Sequence, residues 1–121
     1  MAADGGALGA ERAAALLLVA DLRAELEGIM VEQEANPPDD EHDVEGSSVA
    51  YERARVTALL AHAEGRLAEL DAAAGRLASG WYGWCEQCGR PIGDERLAAM
   101  PSTQRCVTCA GGPSVRTPGA G

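Results

Sequence analysis

Cys85-Glu86-Gln87-Cys88 and Cys106-Val107-Thr108-Cys109 are two C-x-x-C pairs separated by seventeen residues, Gly89 to Arg105, and they contain all four cysteines of the chain. A two-residue spacer lets both sulfurs of a pair turn toward one ion, and two such knuckles complete a tetrahedral four-cysteine zinc site. Two disulfides or a thioredoxin-like redox pair are the competing readings. The first calls for an oxidising compartment, and no secretory segment points to one; the second has no use for a matched second pair. Cys85, Cys88, Cys106 and Cys109 are therefore expected to bind a structural Zn2+. Four thiolates close the coordination sphere, so the ion is expected to hold a fold together rather than to activate water or substrate. The roughly 25 residues involved are too few to fold on burial alone, and the metal supplies that deficit. Gly83, Gly89, Pro91 and Gly93 provide the tight turns that knuckles require.

Upstream of this module the chain reads as helix. Residues 1–9 are small and glycine-containing and are expected to be flexible. From about Ala10 to Ala35 alanine, leucine and glutamate dominate, and Leu18, Leu22, Leu26, Ile29 and Gln33 recur at three- and four-residue steps. Asn36-Pro37-Pro38 ends that helix, because proline lacks the backbone donor and disfavours helical geometry in the residue before it. A second helix is expected to run to about Ser79, with Ser47 or Ser48 as its N-cap. Its apolar positions keep a seven-residue repeat in two rows: Val49, Val56, Ala63, Leu70 and Leu77, and Leu60, Leu67, Ala74 and Trp81, with only Arg53 interrupting the second. Ser79-Gly80 makes the stop, with the glycine at a left-handed position.

Two helices with complementary stripes and a short linker should fold back as an antiparallel coiled-coil hairpin over residues 10–79, its longer arm roughly 50 Å at 1.5 Å per residue. The expected fold class is all-α dominated: this hairpin, then a small four-cysteine zinc finger over 80–110 and a disordered Gly/Pro tail over 111–121.

Composition agrees with thin helix packing. Much of the 46% hydrophobic content is alanine, and the aromatics are only Tyr51, Trp81, Tyr82 and Trp84. Alanine buries little area, so a thick core is not expected. The net charge of -9 argues against the phosphate backbone as main partner, since binding it needs a basic footprint; direct sequence-specific DNA binding is not expected. No apolar run approaches the roughly 20 residues needed to span a bilayer, which argues for a cytoplasmic protein with no membrane partner. No Ser-His-Asp constellation, phosphate loop or open metal site suggests an enzyme.

The linker region carries seven acids and no base between residues 32 and 45: Glu32, Glu34, Asp39, Asp40, Glu41, Asp43 and Glu45. A solvated polar loop accounts for such a run, and acids also complement a helix N-terminus. At the tip of a hairpin, however, carboxylates could be delivered to a cationic or metal-containing site in a partner. His42 and His62 read as surface and structural residues.

Tyr82-Gly83-x-Cys85-x-x-Cys88-Gly89-x-Pro91-Ile92, then Arg96-Leu97-x-Ala99-x-Pro101, then Cys106-x-x-Cys109 resembles the zinc finger of the DksA/TraR family. The close match spans about 28 residues, and the helical hairpin extends the likeness in architecture to about residues 10–110. The resemblance implies a bacterial transcription regulator that binds RNA polymerase directly. In this family the hairpin enters the secondary channel, and acidic tip residues act near the catalytic magnesium and alter initiation. The family tip reads Asp-x-x-Asp-x-Ala. Here Asp40 and Asp43 supply both aspartates, Glu45 stands where alanine is expected, and a two-residue slip would put Glu45 at the second aspartate. Asp40, Asp43 and Glu45 are the tip candidates. Arg90, Arg96 and Arg105 are read as exposed cations that could touch polymerase or simply solubilise the finger. Family members also bind guanosine tetraphosphate through basic residues. Glu69, Met100 and Ala110 fall at those positions, so binding of the alarmone is not expected. The alternative reading is a zinc-ribbon nucleic-acid-binding or protein-interaction module.

Overall fold

The computed structural model describes residues 5–36 and 44–111, with residues 44–47 described by their backbone alone. Among these residues there are four helices, α1 (Gly6–Ala35), α2 (Val44–Ser79), α3 (Asp94–Ala99) and α4 (Val107–Gly111). There is no strand among them, only an isolated antiparallel bridge between Trp84 and Pro91. No helix among the described residues is long and apolar enough to cross a membrane. The molecule is mostly helical, an N-terminal helical hairpin followed by a cysteine-bearing module.

The chain forms two compact units. The first is Ala14–Leu67, which takes in most of α1 and most of α2. Val19 and Leu22 of α1 and Val56 and Ala63 of α2 are its buried cluster, with Leu26, Ile29, Leu60 and Leu67 packed against it. On α1 the buried and half-buried positions run Ala15, Val19, Leu22, Leu26, Ile29 and Gln33 in alternating steps of four and three. That is a coiled-coil seam. The expected row through Leu18 is corrected by this pattern: Leu18 is 50% exposed and Val19 takes its place. Leu18 and Val19 are both compatible with a helical period, and only the partner helix decides which of them faces the seam. Antiparallel pairing shows in the cross-links, Arg23 Nη2 to Glu64 Oε2 at 2.8 Å and Arg53 Nη1 to Gln33 Oε1 at 3.0 Å. Arg53, the one break in the repeat, thus lies outside the seam and reaches across it.

The second unit joins the described residues up to Ala13 with those from Ala68 onward. Leu8, Leu70 and Ala73 are buried here, and Arg12 Nε donates to Asp71 Oδ1 at 2.6 Å. Helix α1 starts at Gly6, not near Ala10, and Leu8 is only 2% exposed. The expectation that all of 1–9 is flexible is corrected for residues 6–9: burial of Leu8 offsets the low intrinsic helix propensity of a glycine-rich start. Residues 1–4 lie outside the described residues.

Helix α2 likewise begins a turn early, at Val44, so that Ser47 and Ser48 lie inside it and neither is its N-cap. From Val44 on no residue lacks a backbone donor, so nothing stops the helix extending upstream of the serines. Of the two heptad rows, the first is the buried one, with Val56, Ala63 and Leu70 at 0%, 4% and 0% exposure. Leu60, Leu67 and Ala74 of the second are half-buried. Trp81 does not belong to that row. It lies beyond the helix end and is 66% exposed.

Candidate metal centre

The end of α2 is set by Gly80, whose φ of 87° is a left-handed geometry that side chains with a Cβ resist. Trp81 N–H donates to Arg76 O at 2.8 Å and Gly80 N–H to Leu77 O at 3.3 Å. This pair of bonds is a Schellman cap, and it satisfies carbonyls that the helix end would otherwise leave open. It turns the chain into the cysteine module in a fixed direction.

The first knuckle follows at once. Cys85 N–H donates to Arg90 O at 2.8 Å, and Ile92 N–H donates to Gly83 O at 2.7 Å, so the chain doubles back around residues 86–89. Within that loop Gly89 N–H reaches Cys85 O at 2.9 Å, with Gly89 at a φ of 75°. Cys88 N–H points at Cys85 Sγ, 3.5 Å away. The second knuckle runs into α4, where Ala110 N–H donates to Cys106 O at 2.9 Å. Between the knuckles, α3 buries Leu97.

Buried anchors hold the module. The hydroxyl of Tyr82, itself buried, donates to Pro101 O at 2.9 Å, and Pro101 is fully buried. Arg76 Nη2 reaches Ser102 O at 3.3 Å. Glu86 N–H donates to Gln104 O at 2.8 Å, which ties the first knuckle to the approach of the second.

All four sulfurs, of Cys85, Cys88, Cys106 and Cys109, lie within 4.8 Å of one another. Cys88 Sγ and Cys106 Sγ are 3.8 Å apart. With Zn–S bonds of about 2.3 Å, the edge of a tetrahedral ZnS4 centre is about 3.8 Å. The cluster fits that ion, and the separation is far from the roughly 2.05 Å of a disulfide; all four cysteines are free. The thiol chemistry agrees. Backbone N–H groups of Cys106 and Cys88 draw Cys85 down to about 6, while burial and the neighbouring thiols push Cys109 up to about 12. Cys106 is also lowered, chiefly by the backbone of Cys109. Thiols this close cannot all become anions without a compensating cation, and a divalent ion removes that conflict. When bound, zinc supplies cross-linking of the two knuckles; four thiolates leave no open coordination position.

The other expected site residues fare differently. Asp40 and Asp43 lie outside the described residues, and Glu45 is described only as backbone in the first turn of α2. Arg90 is exposed. Arg96 is half-buried, not an exposed cation, and its Nε donates to Arg105 O at 2.8 Å. Arg105 Nε in turn reaches Glu86 Oε2 at 3.1 Å. Both arginines have partners inside the finger. Sequence reasoning missed Arg76, Glu86 and Thr103 as parts of this framework, and no spacing signal marks them: their partners are mostly backbone carbonyls, which any residue offers.

Residues 80–113 match the family described as the prokaryotic dksA/traR C4-type zinc finger. The only cysteines of the chain are the four clustered here, so the zinc of a C4 finger falls to them. An uncharacterized protein of Aquifex aeolicus (strain VF5) is 46% identical over 44 residues, which are 36% of this chain and 30% of that protein. The transcription factor DksA2 of Pseudomonas aeruginosa is similar along nearly the whole length. Its solved structure superposes with a TM-score of 0.59 and 32% identity, covering 88% of this chain and 82% of that one. An identity of that order over 88% of the chain, with a cysteine cluster of the right dimensions for zinc, makes this chain a member of the DksA/TraR family.

Proposed function

We propose that the protein is a transcription regulator that binds RNA polymerase directly, inserting the hairpin into the secondary channel and presenting the acidic residues between α1 and α2 to the catalytic region. The observation that carries this reading is the likeness to the transcription factor DksA2 across both the hairpin and the finger. A zinc-finger match alone would have been compatible with many partners. Charge supports it as well: a chain at -9, with seven acids and no base between residues 32 and 45, is repelled by a phosphate backbone and suited to a cationic or magnesium-bearing site. Asp40, Asp43 and Glu45 are the proposed acting carboxylates, and Arg90 the proposed polymerase contact on the finger. Arg96 and Arg105 are engaged within the finger, which weakens a contact role for them. Glu69, Met100 and Ala110 offer no cation to a phosphate, so regulation is proposed to run without guanosine tetraphosphate at that position.

The test is retention of purified core RNA polymerase on the immobilised protein, beside the variant Asp40→Asn, Asp43→Asn, Glu45→Gln. Both proteins are expected to retain polymerase, with only the native one changing transcription from a sensitive promoter, since the contact area lies mainly outside three carboxylates. Retention of polymerase by neither would overturn the proposal. Salt-sensitive binding to bare DNA would then favour a nucleic-acid module.

A further inference from the structure

We propose that Arg96 is a positioning residue for the zinc centre: by gripping the peptide oxygen of Arg105, it fixes the peptide unit that leads into the ligand Cys106. The inference stands apart from any role at polymerase.

The geometry converges on one peptide group. Arg96 Nε donates to Arg105 O at 2.8 Å, and its Nη2 lies 3.4 Å from Thr103 Oγ1. Thr103 Oγ1 also donates to Arg105 O, at 3.2 Å, so that carbonyl has two donors from two directions. The oxygen of Arg105 and the N–H of Cys106 belong to the same planar unit, and in a trans peptide they point to opposite sides. Holding the oxygen therefore fixes the orientation of that N–H and sets the direction from which Cys106 enters the cluster, where its Sγ lies 3.8 Å from Cys88 Sγ of the other knuckle. A cation on the oxygen also polarises the peptide and strengthens its donor end.

This arrangement is selective for arginine. The planar fork donates in two directions from one rigid group, whereas the ammonium of lysine is a single, flexible, strongly hydrated point. The start of the stretch between α3 and α4 is held by other contacts, Met100 N–H to Arg96 O, Tyr82 to Pro101 O and Arg76 to Ser102 O. Closer to Cys106 the further supports are Thr103 N–H to Met100 O at 3.1 Å, Glu86 N–H to Gln104 O at 2.8 Å and Arg105 N–H to Thr103 Oγ1 at 3.4 Å. The second strut, Arg105 to Glu86, joins two side chains each nearly half exposed, and such a pair is weak in water. Arg96 is half-buried and sits on α3, whose buried Leu97 anchors it.

The test compares the zinc-loaded native chain with Arg96→Ala and Arg96→Lys. Zinc release to a chromogenic chelator is timed, and each protein is also titrated with Co2+ to read the thiolate-to-cobalt charge-transfer absorption. Outer contacts of metal ligands typically alter affinity by about 10- to 100-fold, so release about tenfold faster is expected for Arg96→Ala. Arg96→Lys should behave like the alanine variant. Both should still develop the four-thiolate cobalt spectrum at saturating metal. Native release rates in both variants, or full rescue by lysine, would overturn the proposal. So would failure to assemble the four-thiolate spectrum at saturating cobalt, since that would make Arg96 a requirement for folding instead.

Discussion

Between Ala14 and Leu67 the hairpin is held by side-chain burial spread along two helices: Val19, Leu22, Val56 and Ala63, with four half-buried neighbours. Burial there is shared among several residues, and the polar cross-links lie along the margins of the seam, one of them ending on the half-buried Gln33. The finger is built the other way. Its buried side chains, Tyr82, Cys85, Ile92, Leu97 and Pro101, sit on short separate segments, and its order comes also from turn and capping backbone bonds, the buried tyrosine hydroxyl and four converging sulfurs. A long amphipathic pair can bury enough to fold without help, while about 25 residues cannot and need a cross-link. The contrast between distributed and focused stabilisation is open to experiment.

The sharpest test is zinc removal. Structural zinc sites contribute about 10–16 kcal/mol of apparent binding energy in small fingers, so chelation should unfold residues 80–111. Most of the helical circular dichroism should survive, because α1 and α2 hold most of the helical residues, while the fluorescence of Trp81 and Trp84 should shift. Collapse of the helical signal together with the finger would break the comparison.

Acid should act on the same target. Cys85 is depressed to about 6, so the stability its thiolate contributes is present above the ordinary thiol range and is lost as pH falls through about 6. In the zinc-loaded protein the ion competes with protons for the same sulfurs, so zinc retention should hold at neutral pH and fail on the acid side, as protons take up to four thiolates. Zinc measured in the retentate across pH 4–8 should show the loss on the acid side only.

In the hairpin the largest single effect should come from truncating the seam. Leu22→Ala is expected to cost about 2–4 kcal/mol in chemical denaturation, and to leave the zinc release rate of the finger unchanged. Tyr82→Phe belongs to the finger and should cost about 1 kcal/mol, because Pro101 O loses its buried donor at 2.9 Å. A faster zinc release in that variant would show that the anchor also serves the metal. Least of all, Arg23→Ala should change stability by less than about 1 kcal/mol, since Arg23 and Glu64 form their 2.8 Å contact largely in water. A larger loss would mean that the surface cross-links, and not the seam, define the hairpin.

Much of this was legible before any coordinates. Cysteine spacing identified the metal centre, because C-x-x-C is a local constraint that a fold can scarcely alter. Heptads identified α2 and its buried row, and Gly80 marked its end. What the pattern could not settle was phase at the margins. Leu18 against Val19, and Trp81 in or out of the seam, depend on which face a partner covers. The start of α1 at Gly6 depends on Leu8 becoming buried, which outweighs a poor local propensity.

The amino-acid sequence by itself determined the order of the elements, the four ligands and the acidic run between the helices, since each follows from residue type and short-range spacing. Only the tertiary structure decided the roles of the arginines. Arg96 and Arg105 read as free surface charge along the chain, yet their acceptors are a main-chain carbonyl nine residues away and a carboxylate nineteen residues away. A carbonyl carries no identity in sequence, so a bond to it becomes visible only when the backbone has folded to bring donor and acceptor together.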